Sequence, residues 1–141
     1  AGKCLQWHDT EVVAVRTRHT TDSPDALGYV LKTPAVTLYH TGDTEYDPAL
    51  IDAQHYHPDV VLVPINGRGG NMTAEQAARL IADLLAPYAV PMHYGMVQPQ
   101  ADLLDRFLTA LTTYAPHARA AVMSHGAIVY LPFASRKEHQ E

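Results

Sequence analysis

Asp59-Val60-Val61-Leu62-Val63-Pro64-Ile65 carries apolar side chains at successive positions, with no polar residue alternating between them. A strand of this kind has both faces covered, as in a sheet with parallel neighbours, and helices can account for one face. The segments that follow fit such a fold. Asn66-Gly67-Arg68-Gly69-Gly70-Asn71-Met72 is a glycine-rich loop, and Thr73 with Gln76 has capping-box spacing ahead of an amphipathic helix through Ala77, Leu80, Ile81, Leu84 and Leu85. Pro87 helps end that helix. Tyr88–Met92 reads as the next strand, and Gln100–Tyr114 as a second helix with Leu104, Phe107, Leu108 and Leu111 on its apolar side. Ala118–Met123 and Ala127–Phe133 read as a closing hairpin about Ser124-His125-Gly126.

On the N-terminal side, Glu11–Arg18 passes from an apolar run to alternation and reads as a strand. Leu27–Lys32 and Val36–His40, separated by Thr33-Pro34-Ala35, form a hairpin, and Pro48 opens a short helix over Ala49–His55 that stops before Pro58. Residues 1–10 and 135–141 are expected to fray. The order of elements predicts a single α/β domain with a mixed sheet, helices on one face and the other face packed on something else, such as a second sheet.

Composition narrows the function. Of the 141 residues 47% are hydrophobic and 18% charged, so more apolar surface than usual needs cover. The net charge of -5, with basic residues scattered from Lys3 to Lys137, offers no stripe for nucleic acid or an anionic membrane. No apolar run reaches the roughly 18 residues of a membrane span, and the first residues lack a signal-peptide pattern, so a cytoplasmic protein is expected. Ala1-Gly2 without a methionine is expected to be a processed or engineered start of something longer. The single cysteine, Cys4, can form no internal disulfide and reads as structural.

Chemistry concentrates at strand ends. Val36-Thr37-Leu38-Tyr39-His40-Thr41-Gly42-Asp43-Thr44 delivers a carboxylate to the tip of a buried strand, with a glycine to turn the backbone. His19 and His93 end two other strands, and a carboxylate with neutral imidazoles is a donor set for zinc or manganese. Nine histidines and polar strand ends also arise with no metal to bind, so spacing alone leaves both accounts standing. His40 points away from Tyr39 and either orients a ligand or is a buried structural histidine. Asn66, Arg68 and Asn71 lie between two strand ends of this site and are placed to hold an anionic substrate group; the competing account is a solvated surface loop. Tyr94 beside His93 either donates to substrate or covers the ligand. Ser124-His125 are adjacent and would point to opposite faces of a strand, which argues against a nucleophile and base. Gly67–Gly70 lacks the Gly-Lys-Ser/Thr ending of a phosphate loop.

Leu31-Lys32-Thr33-Pro34, Leu38–Thr44, Val63-Pro64-Ile65, Asn71-Met72-Thr73 and Pro91-Met92-His93-Tyr94-Gly95, in that order, resemble the second half of the metallo-β-lactamase-fold hydrolases. Within them they resemble the branch containing L-ascorbate-6-phosphate lactonase. The resemblance runs from about Glu11 to Phe133. It implies half of a sandwich of two face-to-face sheets with helices outside and one or two metal ions at the sheet edge. It makes Asp43 the metal-sharing carboxylate and His93 the last histidine ligand. His19 becomes a ligand at a position where the lactonase itself uses an acid. The implied chemistry is metal-dependent hydrolysis of a lactone, ester or phosphodiester by activated water. The family's H-x-H-x-D-H motif is absent; His55-Tyr56-His57 has the first spacing but is followed by Pro58-Asp59 and reads as a helix end. A half-sandwich leaves a large apolar face bare, so pairing is expected, with a complementing N-terminal half or with a second copy in a homodimer. Two other functions stay in view, a catalytically inactive assembly module and a homodimeric metal-binding protein.

Overall fold

The computed structural model describes residues 2–95 and 102–131. Seven strands form one sheet in which spatial order follows chain order. They are β1 (Cys4–Trp7), β2 (Thr10–Arg16), β3 (Leu27–Lys32), β4 (Thr37–His40), β5 (Val60–Pro64), β6 (Tyr88–Met92) and β7 (Arg119–Ala120). Pairing is antiparallel from β1 to β4 and parallel from β4 to β7. A 3-10 helix (Pro48–Tyr56) connects β4 to β5, α1 (Ala74–Leu84) connects β5 to β6, and α2 (Leu103–Tyr114) connects β6 to β7. This is the mixed α/β architecture expected from the sequence, because parallel neighbours need crossovers and the crossovers here are helical.

Cross-strand partners define the two faces. Val13, Val30, Tyr39, Val61 and Ala89 are in register on one face and are buried with Leu80, Ile81, Leu84, Phe107 and Leu111 of the two α-helices. The helix starts are local in origin. Thr73 accepts the Gln76 amide at 3.2 Å while the Gln76 side chain accepts the Thr73 amide at 3.0 Å, and Asp47 caps the 3-10 helix by accepting the Ala49 amide at 2.9 Å. On the second face Leu38, Val60, Leu62, Tyr88 and Val90 gather into a smaller apolar cluster. The run Val60–Val63 therefore does divide between two faces, as its lack of alternation predicts.

Two expectations need correction. Residues 1–10 do not simply fray, because Cys4–Trp7 forms β1 along the sheet edge. Its side chains are exposed, and ladder bonds such as Gly2 N–H to the Ala14 carbonyl at 2.7 Å hold it in place. Backbone pairing, invisible to hydrophobic periodicity, supplies that strand.

The closing hairpin is the second. β7 is only Arg119–Ala120 and runs parallel to β6; residues 121–131 contribute no strand, although a turn survives in the bond from Ala127 N–H to the Ser124 carbonyl at 3.0 Å. Phe133 and the expected helix start at Gln100 lie outside the described residues. Met123, Val129 and Leu131 instead line an apolar groove of about 260 Å³ with Val36, Leu38, Val60, Leu62 and Val90. The segment covers apolar sheet surface in place of extending the ladder.

Candidate metal centre

The site is built at the carboxyl ends of β4 and β6, next to the glycine loop after β5. Beyond His40 the backbone reverses through Gly42, whose φ is +68° and whose added Cβ would lie 2.7 Å from the Leu27 carbonyl oxygen. Only glycine fits there without displacing β3. Gly28 meets the same turn from the other side, since a Cβ on it would lie 2.8 Å from the Thr41 carbonyl oxygen. Two close backbone approaches thus fix where Asp43 emerges.

Thr44 locks the next residue. Its buried hydroxyl oxygen accepts the Arg18 amide at 3.0 Å and lies 2.9 Å from the Glu45 carbonyl, while the Glu45 amide donates to the Arg18 carbonyl at 2.7 Å. The Thr44 carbonyl accepts the Met72 amide at 2.8 Å. The Gly-Asp-Thr turn is thereby tied to the segment leading to His19 on one side and to the glycine loop on the other. The sequence motif includes Thr44 but does not reveal its tying role, and the close approach at Gly28 was missed. A glycine inside a strand is a signal of close backbone approach, and it was available for Gly28.

β6 ends at Met92, and His93 follows in the left-handed conformation with φ +63°. For a residue with a side chain this costs about 1–2 kcal/mol. The turn presents the imidazole to Asp43, with His93 Nε2 at 2.9 Å from Asp43 Oδ1. His40 completes the group electrostatically. Burial pushes its pKa down, Asp43 pulls it up and His93 pushes it down again. Its Nδ1 accepts the Gly42 amide at 3.0 Å.

The structure brings Asp43, His93 and His40 into one neighbourhood, while the contact that His19 makes is with the glycine loop. The His19 ring nitrogen Nδ1 lies 3.3 Å from the Gly70 carbonyl, and Gly70 packs so closely that a Cβ on it would be 3.0 Å from the His19 backbone. His19 also lines a cleft of about 490 Å³ with Arg16, Thr20, Ser23 and Asp47. Among the described residues no group of three or more His, Cys, Asp or Glu side chains is placed to hold a metal ion. What converges is a pair of donors, one carboxylate and one imidazole.

The remaining sequence candidates differ in their surroundings. Asn66 and Asn71 each have a buried Oδ1 without a hydrogen-bond partner, so both amides retain polar capacity inside the loop. Arg68 is exposed at the loop's tip. Tyr94 uses its hydroxyl within the fold, donating to the Met123 carbonyl at 2.9 Å, and thereby anchors the segment that covers the second face.

Among known proteins, residues 4–94 match the model of the beta-lactamase superfamily domain. The chain is similar to a UPF0173 metal-dependent hydrolase of Caldivirga maquilingensis, 32% identical over 127 residues that cover 89% of this chain and 55% of that one. It is also similar to a UPF0173 metal-dependent hydrolase of Methylobacterium nodulans, 43% identical over 94 residues covering 61% and 39% of the two chains. The chain thus spans about half, or less, of the length of these relatives. Among solved structures it resembles Igni18, a metallo hydrolase of Ignicoccus hospitalis, with a TM-score of 0.78 at 24% identity, covering 94% of this chain and 59% of that one. It also resembles the metallo-beta-lactamase fold protein YhfI of Bacillus subtilis, with a TM-score of 0.69 at 15% identity, covering 89% and 51%. A family match across most of the sheet, on a fold whose strand ends carry the Gly-Asp-Thr turn and His93, leaves one conclusion: the chain belongs to the metallo-β-lactamase superfamily.

Proposed function

We propose that this chain is the C-terminal, metal-binding portion of a metal-dependent hydrolase that cleaves a lactone, ester or phosphodiester, in the manner of the lactonase-like branch. The observation that carries the reading is the 2.9 Å approach of His93 Nε2 to Asp43 Oδ1 across two strand ends. A carboxylate and an imidazole suit zinc or manganese, and such a centre takes about four donors, so the pair fits as part of a set. His19 is the third candidate in this chain, and a complementing N-terminal half or a second copy would supply the residues that complete the set. When bound, the metal supplies Lewis acidity toward a carbonyl or phosphoryl oxygen and toward water.

The chain's own residues do the rest. Asp43 and His93 are held by turns that leave little freedom, which suits a centre needing fixed geometry. Asn66, Arg68 and Asn71 line the approach from the glycine loop, where Arg68 and the two amides would hold an anionic or phosphorylated small substrate. The second face, with its apolar cluster and groove, is where the complementing N-terminal half or a second copy would pack.

Elemental analysis of the purified chain, with Asp43→Ala beside it, tests the metal site. One or two equivalents of zinc or manganese, lost in the mutant, are expected. Activity is tested by supplying the N-terminal half; if no metal-dependent cleavage of lactone, ester or phosphodiester follows, the hydrolase reading falls. The absence of a three-donor cluster among the described residues favours a second reading, a catalytically empty half-domain that serves in assembly. That reading predicts a dimer that binds no metal. If metal binds and is lost when the dimer is dissociated, a homodimeric metal-binding protein takes its place.

A further inference from the structure

His40 sits at the carboxyl end of β4 on the second face of the sheet, in register with Tyr29 and Leu62. Its Nδ1 faces the Gly42 N–H at 3.0 Å. A backbone amide can only donate, so Nδ1 must be the acceptor and carries no proton. A neutral imidazole with a bare Nδ1 holds its proton on Nε2. The same contact disfavours the imidazolium form, because it would set two N–H groups against each other. The constraint is rigid, since Gly42 has φ +68° and is pressed against the Leu27 carbonyl. No hydrogen bond from Nε2 is found among the described residues. Close to Asp43 and His93, then, stands a half-buried N–H donor that has no partner among the described residues.

We propose that His40 contacts substrate as a hydrogen-bond donor and is not a metal ligand, giving its Nε2–H to the carbonyl or phosphoryl oxygen that gains negative charge during hydrolysis. This rests on the reading of the Asp43–His93 edge as the reaction centre. A protonated Nε2 has no lone pair for a cation, whereas it is suited to a developing oxyanion. No proton is transferred in this role. The specificity that follows is for substrates with an oxygen acceptor at the reacting centre.

The test uses the chain labelled with 15N at histidine and read by long-range 1H–15N spectra at pH 7.5. His40 is expected to show the Nε2-protonated pattern. Added zinc should shift His93 while leaving the His40 Nε2–H in place. Inorganic phosphate, a probe for a tetrahedral oxyanion, should then move the His40 Nε2–H resonance. His40→Leu should weaken phosphate binding roughly tenfold, the scale of one lost hydrogen bond to a charged group. His40→Gln, which keeps an N–H donor near the same place, should stay within about threefold of the parent on the same scale. A proton on Nδ1, loss of the Nε2–H on adding zinc, or a phosphate response that bypasses His40 would each overturn the donor role. If zinc leaves His93 unmoved, the metal reading fails by itself, and the response of His40 to phosphate in the zinc-free protein still decides the proposal.

Discussion

The two faces of one sheet do different work. Toward the helices, Val30, Tyr39, Val61, Val63 and Ala89 are completely buried, and the cluster continues without a break into α1 and α2. Toward the other side the same strands present Leu38 and Leu62, which are only half-buried, and Tyr29, which is 43% exposed. The segment that crosses this second face leaves Ile128 79% and Tyr130 89% exposed. Stability therefore resides on the helix side. The candidate chemistry sits at the strand ends, where His40 faces the less finished side of the sheet. The difference teaches that one side of a sheet can be fully packed while, among the described residues, its strand ends bring together only a carboxylate and an imidazole.

The largest expected effect probes the helix side. Phe107→Ala should lower the unfolding free energy by about 3–5 kcal/mol, read from urea denaturation, because the ring is wholly buried in the core cluster. Gly42→Ala comes next, at about 1–3 kcal/mol of backbone strain. Spectra of that mutant should also show the Asp43–His93 contact displaced, since the added methyl meets the Leu27 carbonyl. On the second face Leu62→Ala should cost only about 1 kcal/mol, in keeping with partial burial. A Leu62→Ala loss as large as that of Phe107→Ala would abolish the distinction between the faces.

The smallest effect is electrostatic and lies outside both faces. Glu75 on α1 accepts from Arg106 on α2 at 2.8 Å, and the guanidinium holds its carboxyl below the usual value of 4.5. A lowered carboxylate pKa stabilises the fold above the unfolded value, and the contribution is lost as pH falls through the folded one. Arg106→Gln should therefore lower stability only slightly at pH 7 in low salt, because the pair is exposed and screened, and the difference from the parent should shrink as pH drops below 4.5. Denaturation curves across pH would check it, and a difference that persists in strong acid would assign the loss to packing.

Much of the fold was legible because its signals are local. The apolar run at Val60–Val63, the Thr73 capping box and Pro48 at a helix start each act within a few residues, and each element formed where expected. β1 was not legible, since Cys4–Trp7 is held by ladder bonds to β2 and buries no side chain. Nor was the fate of 121–131, where the pattern suited a strand but a bare apolar face competed for the same side chains.

For the site, residue types and strand-end positions were readable in one dimension, and the Gly-Asp-Thr turn announced its own geometry through Gly42. Which donors meet was decided by the tertiary structure. The left-handed turn at His93 carries its ring to Asp43, while the packing of Gly70 on His19 draws that histidine toward the glycine loop. The same division holds for His40. Its place at the end of β4 follows from alternation along the strand, but its tautomer depends on a single amide turned toward it by Gly42. Side-chain order along a strand is set by a two-residue period that the chain carries in itself. Distances between strand ends are set by crossovers, caps and close backbone contacts, and those exist only once the sheet has assembled.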